Sequence, residues 1–416
     1  MSAPENILYI GHVWPEPNSS AAGRRTLSLI RCLQAAGGRV TFACAAALSE
    51  HRYPLSDIAV DEVEIRLNCD SFNQLLRKMQ PDLVVFDRFL TEEQFSWRVA
   101  KECPQAMCIL DTQDLHCLRD ARHQALKRGQ NTMRPDSELL SSELALRELA
   151  SIWRCDLSLM ISTAEISLLQ SHYGVSAELL HHLPFSSEGG TASPLPYAQR
   201  RHFICIGNFR HEPNWDSLRY LRSELWPEIR RQLPSAQCHV YGAYPPPKAQ
   251  QLHSEKHGFL LKGWAKDAAA VMRQARVCIA PLRFGAGQKG KLLEAMEQAT
   301  PSVTTSIGAE GMVDTPPNWG GVVADSPQAL IEAAVSLYRD ESNWRSAQER
   351  AVRCLAPFTS AEPSQALRSR IDRLSGELAV HRQGNFIGAM LRHHSLRSHQ
   401  YMSQWIAAKS QLADAH

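Results

Sequence analysis

The stretch "FGAGQKGKLLEAM", residues 284–296, follows the apolar run "VCIAPL" at 277–282 and continues with leucines and a methionine at helical spacing. It therefore predicts a strand, a glycine loop and the start of a helix. A helix start carries unpaired backbone N–H groups and about half a positive charge, so it attracts anions. We expect this loop to bind phosphate.

Two short phosphate-binding patterns fit the same stretch. Gly287 and Gly290 belong to a G-x-G-x-x-G pattern, and the stretch also gives G-x-x-x-x-G-K, a P-loop in which Leu292 replaces the usual hydroxyl. Neither short pattern decides the function. Lys289 and Lys291 place positive charge at the positive helix end, and a diphosphate would offset it. A glycine turn with solvated lysines is the alternative interpretation.

Short apolar runs alternate with helical patterns in both halves of the chain, for example "NILYIGHVW" and "DLVVFD" early and "HFICIGN" and "GGVVAD" late. This pattern predicts an α/β fold with two Rossmann-like domains that face each other across a cleft. We divide the chain into a first domain at 1–185, a Gly/Ser/Pro-rich linker at 186–200, a second domain at 201–375 and a helical tail at 376–416.

The composition is that of an ordinary globular protein. A length of 416 residues exceeds what a single core supports, and a net charge of +2 argues against a general nucleic-acid partner. Eleven cysteines are scattered singly, which favours reduced thiols and a cytoplasmic protein. We find no signal-peptide pattern and no apolar run long enough for a spanning helix.

A longer block around the opening stretch is more specific than either short pattern. "IAPLRFGAGQKGKLLEAMEQATPSVTTSIGAEGM" at 279–312, together with "FICIGNFRHEPNWDSLRYL" at 203–221, resembles the carboxy-terminal domain of group 1 glycosyltransferases, retaining nucleotide-sugar enzymes of the two-domain GT-B fold. The resemblance covers most of 200–355 and extends more weakly into the first half. It implies that the second domain binds a nucleotide sugar and that the first domain lies on the acceptor side.

The resemblance also implies roles for individual residues of the block. In the family, this loop and helix start hold the donor diphosphate, which implicates Gly287, Lys289, Gly290 and Lys291. The glutamate of the "LEAM" segment commonly binds the donor ribose, and Glu294 occupies that position here.

The block departs from the family at two places. Many relatives have a glutamate that contacts the donor sugar eight residues before Glu294, where this chain has Ala286. Relatives also often bind the diphosphate with an Arg and a Lys after the first strand of the second domain. Here Asn208 stands in place of the Arg, and His211 and Asn214 lie nearby. We infer that the two lysines of the opening stretch supply the missing charge.

Two other loops carry donor-site candidates. Gly23 follows the first strand, where the family has a glycine-containing loop facing the donor; a helix start capped by Ser19 or Ser20 is the alternative interpretation. Glu310 lies in "TTSIGAEGM", which follows a strand on the cleft side, and either contacts donor or acceptor, or holds a hinge through backbone N–H groups.

The catalytic candidates come from "CILDTQDLHCLRDAR" at 108–122. Family members often have a histidine close to the transferred sugar in this region, so His116 is predicted to donate a hydrogen bond to that sugar. Asp114 is predicted to orient or deprotonate an acceptor hydroxyl. The alternative is that both residues cap the following helix. Asp87 and Arg88 are a second set of the same kind.

The tail has no acidic residue between Glu377 and Asp414 but several arginines and histidines. A set of apolar residues is expected to share one face of a helix: Leu391, Leu396, Tyr401, Trp405 and Ile406. One interpretation is a terminal helix that packs back across the domains. The other is a basic amphipathic segment that makes peripheral contact with an anionic membrane surface.

The resemblance therefore implies a hexosyltransferase-type enzyme that moves a sugar, with retention of configuration, from a nucleoside diphosphate sugar to an acceptor hydroxyl in glycan, polysaccharide or glycoconjugate biosynthesis. The acceptor is a glycan, a lipid-linked molecule or a protein. We expect no metal and no cofactor beyond the nucleotide-sugar co-substrate. Two alternatives stay open: a GT-B sugar-nucleotide epimerase, and a donor-binding partner without turnover, which Ala286 suggests.

Overall fold

The computed structural model describes residues 4–191, 193–313 and 318–414. The two ends of the chain, one residue of the predicted linker and residues 314–317 of the predicted second domain therefore lie outside the described residues.

The first domain contains a seven-stranded parallel sheet with the order β3-β2-β1-β4-β5-β6-β7. Its strands are β1 (Asn6–Gly11), β2 (Arg39–Cys44), β3 (Asp61–Glu64), β4 (Leu83–Asp87), β5 (Met107–Asp111), β6 (Leu157–Met160) and β7 (Leu180–His182). Its helices are α1 (Ala21–Gln34), α2 (Ser71–Met79), α3 (Arg88–Glu102), α4 (His116–Lys127), α5 (Ser137–Leu140), α6 (Glu143–Arg154) and α7 (Thr163–Ser171).

The second domain contains a six-stranded parallel sheet with the order β10-β9-β8-β11-β12-β13. Its strands are β8 (Arg201–Ile206), β9 (Cys238–Tyr241), β10 (Phe259–Gly263), β11 (Ala275–Ala280), β12 (Ser302–Thr304) and β13 (Gly321–Val323). Its helices are α8 (Glu212–Tyr220), α9 (Trp226–Gln232), α10 (Ala268–Gln274), α11 (Gly290–Glu297), α12 (Ser306–Ala309), α13 (Pro327–Arg339) and α14 (Glu341–Cys354). The α/β prediction with two Rossmann-like domains is confirmed.

Strand order reverses at β1/β4 in the first sheet and at β8/β11 in the second. Open parallel sheets bind ligands outside the carboxyl ends of the strands at such reversals. The loops that follow these strands face each other across the domain boundary, so the topology places any shared site there. An apolar cluster with Ile161 and Phe185 on one side and Leu292 and Met296 on the other joins the two domains beside these loops.

Two long helices, α15 (Glu362–Gly384) and α16 (Phe386–Asp414), follow the second domain. Leu367, Ile371 and Leu374 of α15 are buried in the core cluster that contains the first-domain strand β1. We placed the start of the tail at residue 376, but the chain already packs against the first domain before that residue. The reason is that these apolar residues recur at helical spacing in the first part of α15. None of the described helices is long and apolar enough to span a bilayer.

Candidate functional site

A cavity of about 810 Å³ lies between the two domains. Its walls come from α1, from the segment that follows β7, and from α11 and the start of α10. Glu294 of α11 lines it together with Lys266 and Asp267, and Arg24 lines it from the first domain. The cavity therefore begins beside the helix start that the sequence marks as a phosphate site.

The carboxyl group of Glu294 has an unusually high pKa. Burial raises the pKa of Glu294 to about 7, with Arg24 acting against the shift and Glu297 and Asp267 adding to it. The carboxylate consequently gains or loses its proton close to neutral pH. As a carboxylate it accepts hydrogen bonds from two neighbouring hydroxyl groups, such as those of a ribose.

The glycine loop before α11 lies tightly between the domains. Gly287 has a φ of 63°, and a Cβ atom there would lie only 2.9 Å from the Cβ of Asp114 and 3.0 Å from Ile161. Only glycine suits this left-handed backbone at so close an approach. Gly290 begins α11 and lies against Ala21 of the first domain.

Two lysines, Lys289 and Lys291, lie on either side of Gly290, the first residue of α11. Lys289 is buried and its Nζ donates to the carbonyl of Gly287 at 2.5 Å. Burial lowers the pKa of Lys289 to about 8, although Glu310 favours the charged form. Lys291 is partly buried, and its Nζ donates to Asn214 Oδ1 at 2.7 Å. Desolvation lowers the pKa of Lys291 as well.

These two ammonium groups have no direct ionic partner in the described parts of the chain. Every carboxylate there lies more than 4.0 Å from either Nζ atom. The two ammonium groups thus lie on either side of a helix start with unpaired N–H groups, and neither forms a direct ion pair. This arrangement is suited to a bound diphosphate.

The loop after β8 joins the same cluster. Asn214 donates to the carbonyl oxygen of Asn208 at 3.0 Å and accepts the bond from Lys291. Lys291 therefore extends to the loop in which Asn208 stands at the family's arginine position. His211, the N-cap of α8, has an exposed side chain and lies close enough to Asp114 to lower the pKa of that carboxyl.

Asp114 and His116 lie together on the first-domain side. His116 Nε2 is 3.5 Å from Asp114 Oδ1, and Arg119 forms an ion pair with the other oxygen of Asp114. Burial alone would raise the pKa of Asp114, but Arg119, His116 and His211 together lower it. Burial lowers the pKa of His116 to about 3. At neutral pH the aspartate is ionised and the imidazole is neutral.

Two buried glutamates position the start of α4. Glu148 accepts hydrogen bonds from the backbone N–H groups of His116 at 3.0 Å and Cys117 at 2.7 Å. Glu165 accepts one from Leu115 at 2.9 Å. Burial raises the pKa of Glu148 to about 7 and that of Glu165 to about 8. The alternative that Asp114 and His116 cap α4 is wrong, because the N-cap is Leu115 and the two glutamates satisfy its first N–H groups.

Glu310 binds the first domain. Arg122 donates to both of its carboxylate oxygens at 2.7 Å and also to the carbonyl of Gly285 at 2.8 Å. Burial would raise the pKa of Glu310, but Arg122 lowers it overall. Glu310 thus joins the two domains through the Arg122 side chain and not through the backbone N–H groups that we expected.

Gly23 lies inside the first turn of α1. Ser20 is the N-cap, and its Oγ accepts the Gly23 N–H at 3.0 Å, so the cap interpretation is confirmed for Ser20. A Cβ atom at position 23 would lie 2.5 Å from the carbonyl carbon of Glu16. Packing against the preceding loop therefore explains this glycine, and its N–H group already has a partner.

The sequence did not reveal the roles of Arg119, Arg122, Glu148 and Glu165. A spacing of three residues places Arg119 and Arg122 on one side of α4 and is the only local signal for the pair. Backbone strain marks the site as well. Arg88 and Gln113, which follow β4 and β5, have φ angles of 70° and 64°. Non-glycine residues with such angles occur more often at functional sites.

Ala286 is buried with an exposed fraction of 7% and belongs to a core cluster made otherwise of first-domain residues, among them Leu115 and Leu118. Where relatives often have a sugar-binding glutamate, this chain thus has an interdomain packing contact. Within the described residues, no group of three or more His, Cys, Asp or Glu side chains could hold a metal ion.

Comparison with known proteins supports the two-domain fold and the resemblance of the second domain to group 1 glycosyl transferases. Residues 200–340 match the family model of group 1 glycosyl transferases. Sucrose-phosphate synthase from Thermosynechococcus elongatus is 15% identical with a TM-score of 0.65, and the match covers 90% of this chain and 99% of that one. No curated protein sequence matches.

Two further solved structures are similar over most of their length. HepE from Anabaena, in complex with UDP and glucose, is 13% identical with a TM-score of 0.66, covering 88% of this chain and 98% of that one. WaaG, a glycosyltransferase involved in lipopolysaccharide biosynthesis, is 14% identical with a TM-score of 0.58, covering 86% and 98%. At these identities the similarity establishes a shared two-domain fold.

Proposed function

We propose that this chain, a glycosyltransferase whose residues 200–340 match the group 1 family, transfers a sugar from a nucleoside diphosphate sugar to an acceptor hydroxyl. The proposal rests mainly on one observation. Lys289 and Lys291 flank the start of α11, and neither forms an ion pair with a carboxylate of the described residues. A donor diphosphate supplies the missing negative charge.

The cavity beside this helix start is the proposed nucleoside site. Glu294 lines it one turn after Gly290, where its carboxylate would accept hydrogen bonds from the ribose hydroxyls. Similar structures support a nucleotide-sugar ligand of this kind, since HepE was solved with UDP-glucose. The transferred sugar would then extend from the diphosphate past Gly287 towards Asp114 and His116.

Catalysis would depend on stabilising the departing diphosphate. Lys289, Lys291 and the helix start supply positive charge in a largely desolvated site, where electrostatic stabilisation is strongest. These groups would take the part of a metal ion, so we propose a metal-independent reaction. Activity that is lost with a chelator and restored by Mg²⁺ would contradict this part of the proposal.

Asp114 and His116 would have different roles in the reaction. Neutral His116 can donate a hydrogen bond to a sugar hydroxyl, whereas ionised Asp114 orients His116 and Arg119. The lowered pKa makes Asp114 a weak base. We therefore propose that the bond from the sugar to phosphate breaks as the acceptor oxygen bonds to the sugar on the same face. The departing phosphate oxygen would take the acceptor proton.

The donor site can be tested by titration calorimetry with UDP-, GDP-, ADP- and dTDP-sugars. Replacing Lys289 and Lys291 together with Ala should abolish donor binding, whereas Lys256→Ala, at an exposed lysine, should leave it unchanged. Unchanged donor affinity in the double variant would contradict the assignment.

Product analysis distinguishes the proposal from its alternatives. A panel of glycan, lipid-linked and protein acceptors should yield a glycoside with the anomeric configuration of the donor, as seen by NMR. An epimerised sugar nucleotide formed from donor alone would indicate an epimerase. Donor that binds but is not consumed with any acceptor extract would indicate a binding partner.

A further inference from the structure

Helix α16 is attached to the first domain along one face. Leu396 and Ser403 are buried, and the helix packs on α3 and α6. Arg392 donates to the carbonyl of Arg154 at 2.6 Å, and Arg98 donates to Ser403 at 3.2 Å. Contacts at both ends of this stretch fix the rotation of the helix, so its opposite face is held outward.

The outward face of α16 exposes many large apolar side chains. Those more than 40% exposed are Phe386 (76%), Ile387 (42%), Met390 (47%), Tyr401 (66%), Met402 (58%) and Trp405 (63%). The expectation that Leu391, Leu396, Tyr401, Trp405 and Ile406 share one face is wrong. Leu396 is buried while Tyr401 and Trp405 face outward, because five-residue steps rotate a side chain by roughly 140° around a helix with 3.6 residues per turn.

Basic side chains are interleaved with these apolar ones. His393, His394, Arg397 and Lys409 are all exposed, and the sequence has no acidic residue from 378 to 413. The outer face of α16 therefore combines an apolar strip, the amphipathic rings of Tyr401 and Trp405, and positive charge without nearby acidic residues of the same helix. An exposed apolar strip of this size usually marks an interaction surface.

A second copy of the chain is a poor partner for this face. A two-fold axis at the middle of the strip would bring Arg397 of each copy close to the same strip of the other, and the face has no acidic side chain to neutralise the two guanidinium groups. A parallel arrangement of the two helices would place each cation beside the same cation of the other chain. An anionic lipid surface, in contrast, offers an apolar layer for Phe386 and Met390 and negative headgroups for the cations.

We propose that the outer face of α16 lies on an anionic lipid bilayer. Phe386, Met390 and Met402 enter the boundary between headgroups and acyl chains. Trp405 and Tyr401 lie at headgroup level, where rings with a polar atom are favoured, and Arg397 binds lipid phosphate. This contact does not depend on the proposed enzymatic function, because lipid binding is measured without any sugar donor.

Vesicle co-sedimentation of the full chain tests the proposal. The protein should bind vesicles of phosphatidylcholine mixed with phosphatidylglycerol at least tenfold more strongly than phosphatidylcholine alone, and high salt should weaken binding. Phe386→Ser with Trp405→Ser, and separately Arg397→Gln with Lys409→Gln, should each reduce binding by at least tenfold. Val352→Ser, an exposed apolar residue of the second domain, is the matched control and should bind like the parent.

Thermal melting of each variant should match that of the parent, because the changed side chains are exposed. Equal binding to neutral and anionic vesicles, or variants that bind like the parent, would overturn the proposal. So would a dimer in solution that the Phe386 and Trp405 changes dissociate while vesicle binding is absent.

Discussion

Arg122 of the first domain binds both carboxylate oxygens of Glu310 in the second domain, with both N–O distances at 2.7 Å. The same guanidinium donates to the carbonyl of Gly285, at the beginning of the glycine loop. One arginine thus connects the first domain to two loops that follow neighbouring strands of the second sheet. It therefore contributes to the arrangement of the two domains together with the apolar cluster between them.

Arg122→Ala should destabilise the protein by about 3 to 5 kcal/mol, because it leaves the Glu310 carboxylate buried without its partner. It should also lower kcat at least tenfold by loosening the glycine loop. Chemical denaturation and steady-state kinetics measure the two effects. Arg77→Ala removes an exposed two-bond pair with Glu102 and should affect stability much less, because solvent screens the attraction between exposed charges. Equal effects of both changes would contradict this role for Arg122.

Ala286→Glu restores the residue that many relatives have at this position. Since Ala286 is buried in the first-domain cluster, the new carboxylate would lose its hydration, and we expect a loss of at least about 2 kcal/mol in stability. Donor turnover should fall. The control Ala47→Glu adds the same charge at an exposed position and should leave the melting temperature almost unchanged. A gain in turnover would show that the site accommodates the family's glutamate.

His116→Ala should lower kcat about 100-fold or more while the donor Kd changes about twofold or less, since general acid–base and hydrogen-bonding groups act on the reacting sugar. His172→Ala, at an exposed histidine of the same domain, should have no effect. With the pKa of His116 lowered to about 3, the imidazole stays neutral above pH 5. A rise in Kd with unchanged kcat would instead make His116 a binding residue.

Donor affinity should increase as the pH rises from 6 to 7; above that, Lys289, whose pKa is lowered to about 8, loses its charge and acts against the increase. Glu294 has a pKa raised to about 7, so its acceptor form is a minority at pH 6 and dominates at pH 8. Ribose hydroxyls that donate to the carboxylate favour the ionised form, and the expected change between pH 6 and 7 is up to about fivefold. Glu294→Gln should weaken binding and remove the increase between pH 6 and 7. Glu188→Gln, at the exposed rim of the cavity, should keep the parent's affinity and its increase with pH. Calorimetry at several pH values would detect a flat parent profile, which would contradict the ribose contact.

The sequence by itself determined the fold and indicated the helix start that we propose as the donor site. Alternating apolar runs and helical patterns depend on local spacing, so they predicted two parallel sheets, which the structure confirms. The glycines and lysines around α11 were visible for the same reason. Their order along the chain fixes a strand, a loop and a helix start, and the anion preference of a helix start is local.

Only the tertiary structure decided how these parts act together. Arg122 and Glu310 are 188 residues apart, Glu165 is 50 residues from the Leu115 amide that it binds, and Ala286 is buried by the opposite domain. The rotation of α16 on α3 and α6 decided which of its side chains are exposed. Such contacts depend on how the two domains and the terminal helices pack, and that packing is a sum of many weak, distant interactions that no local spacing encodes.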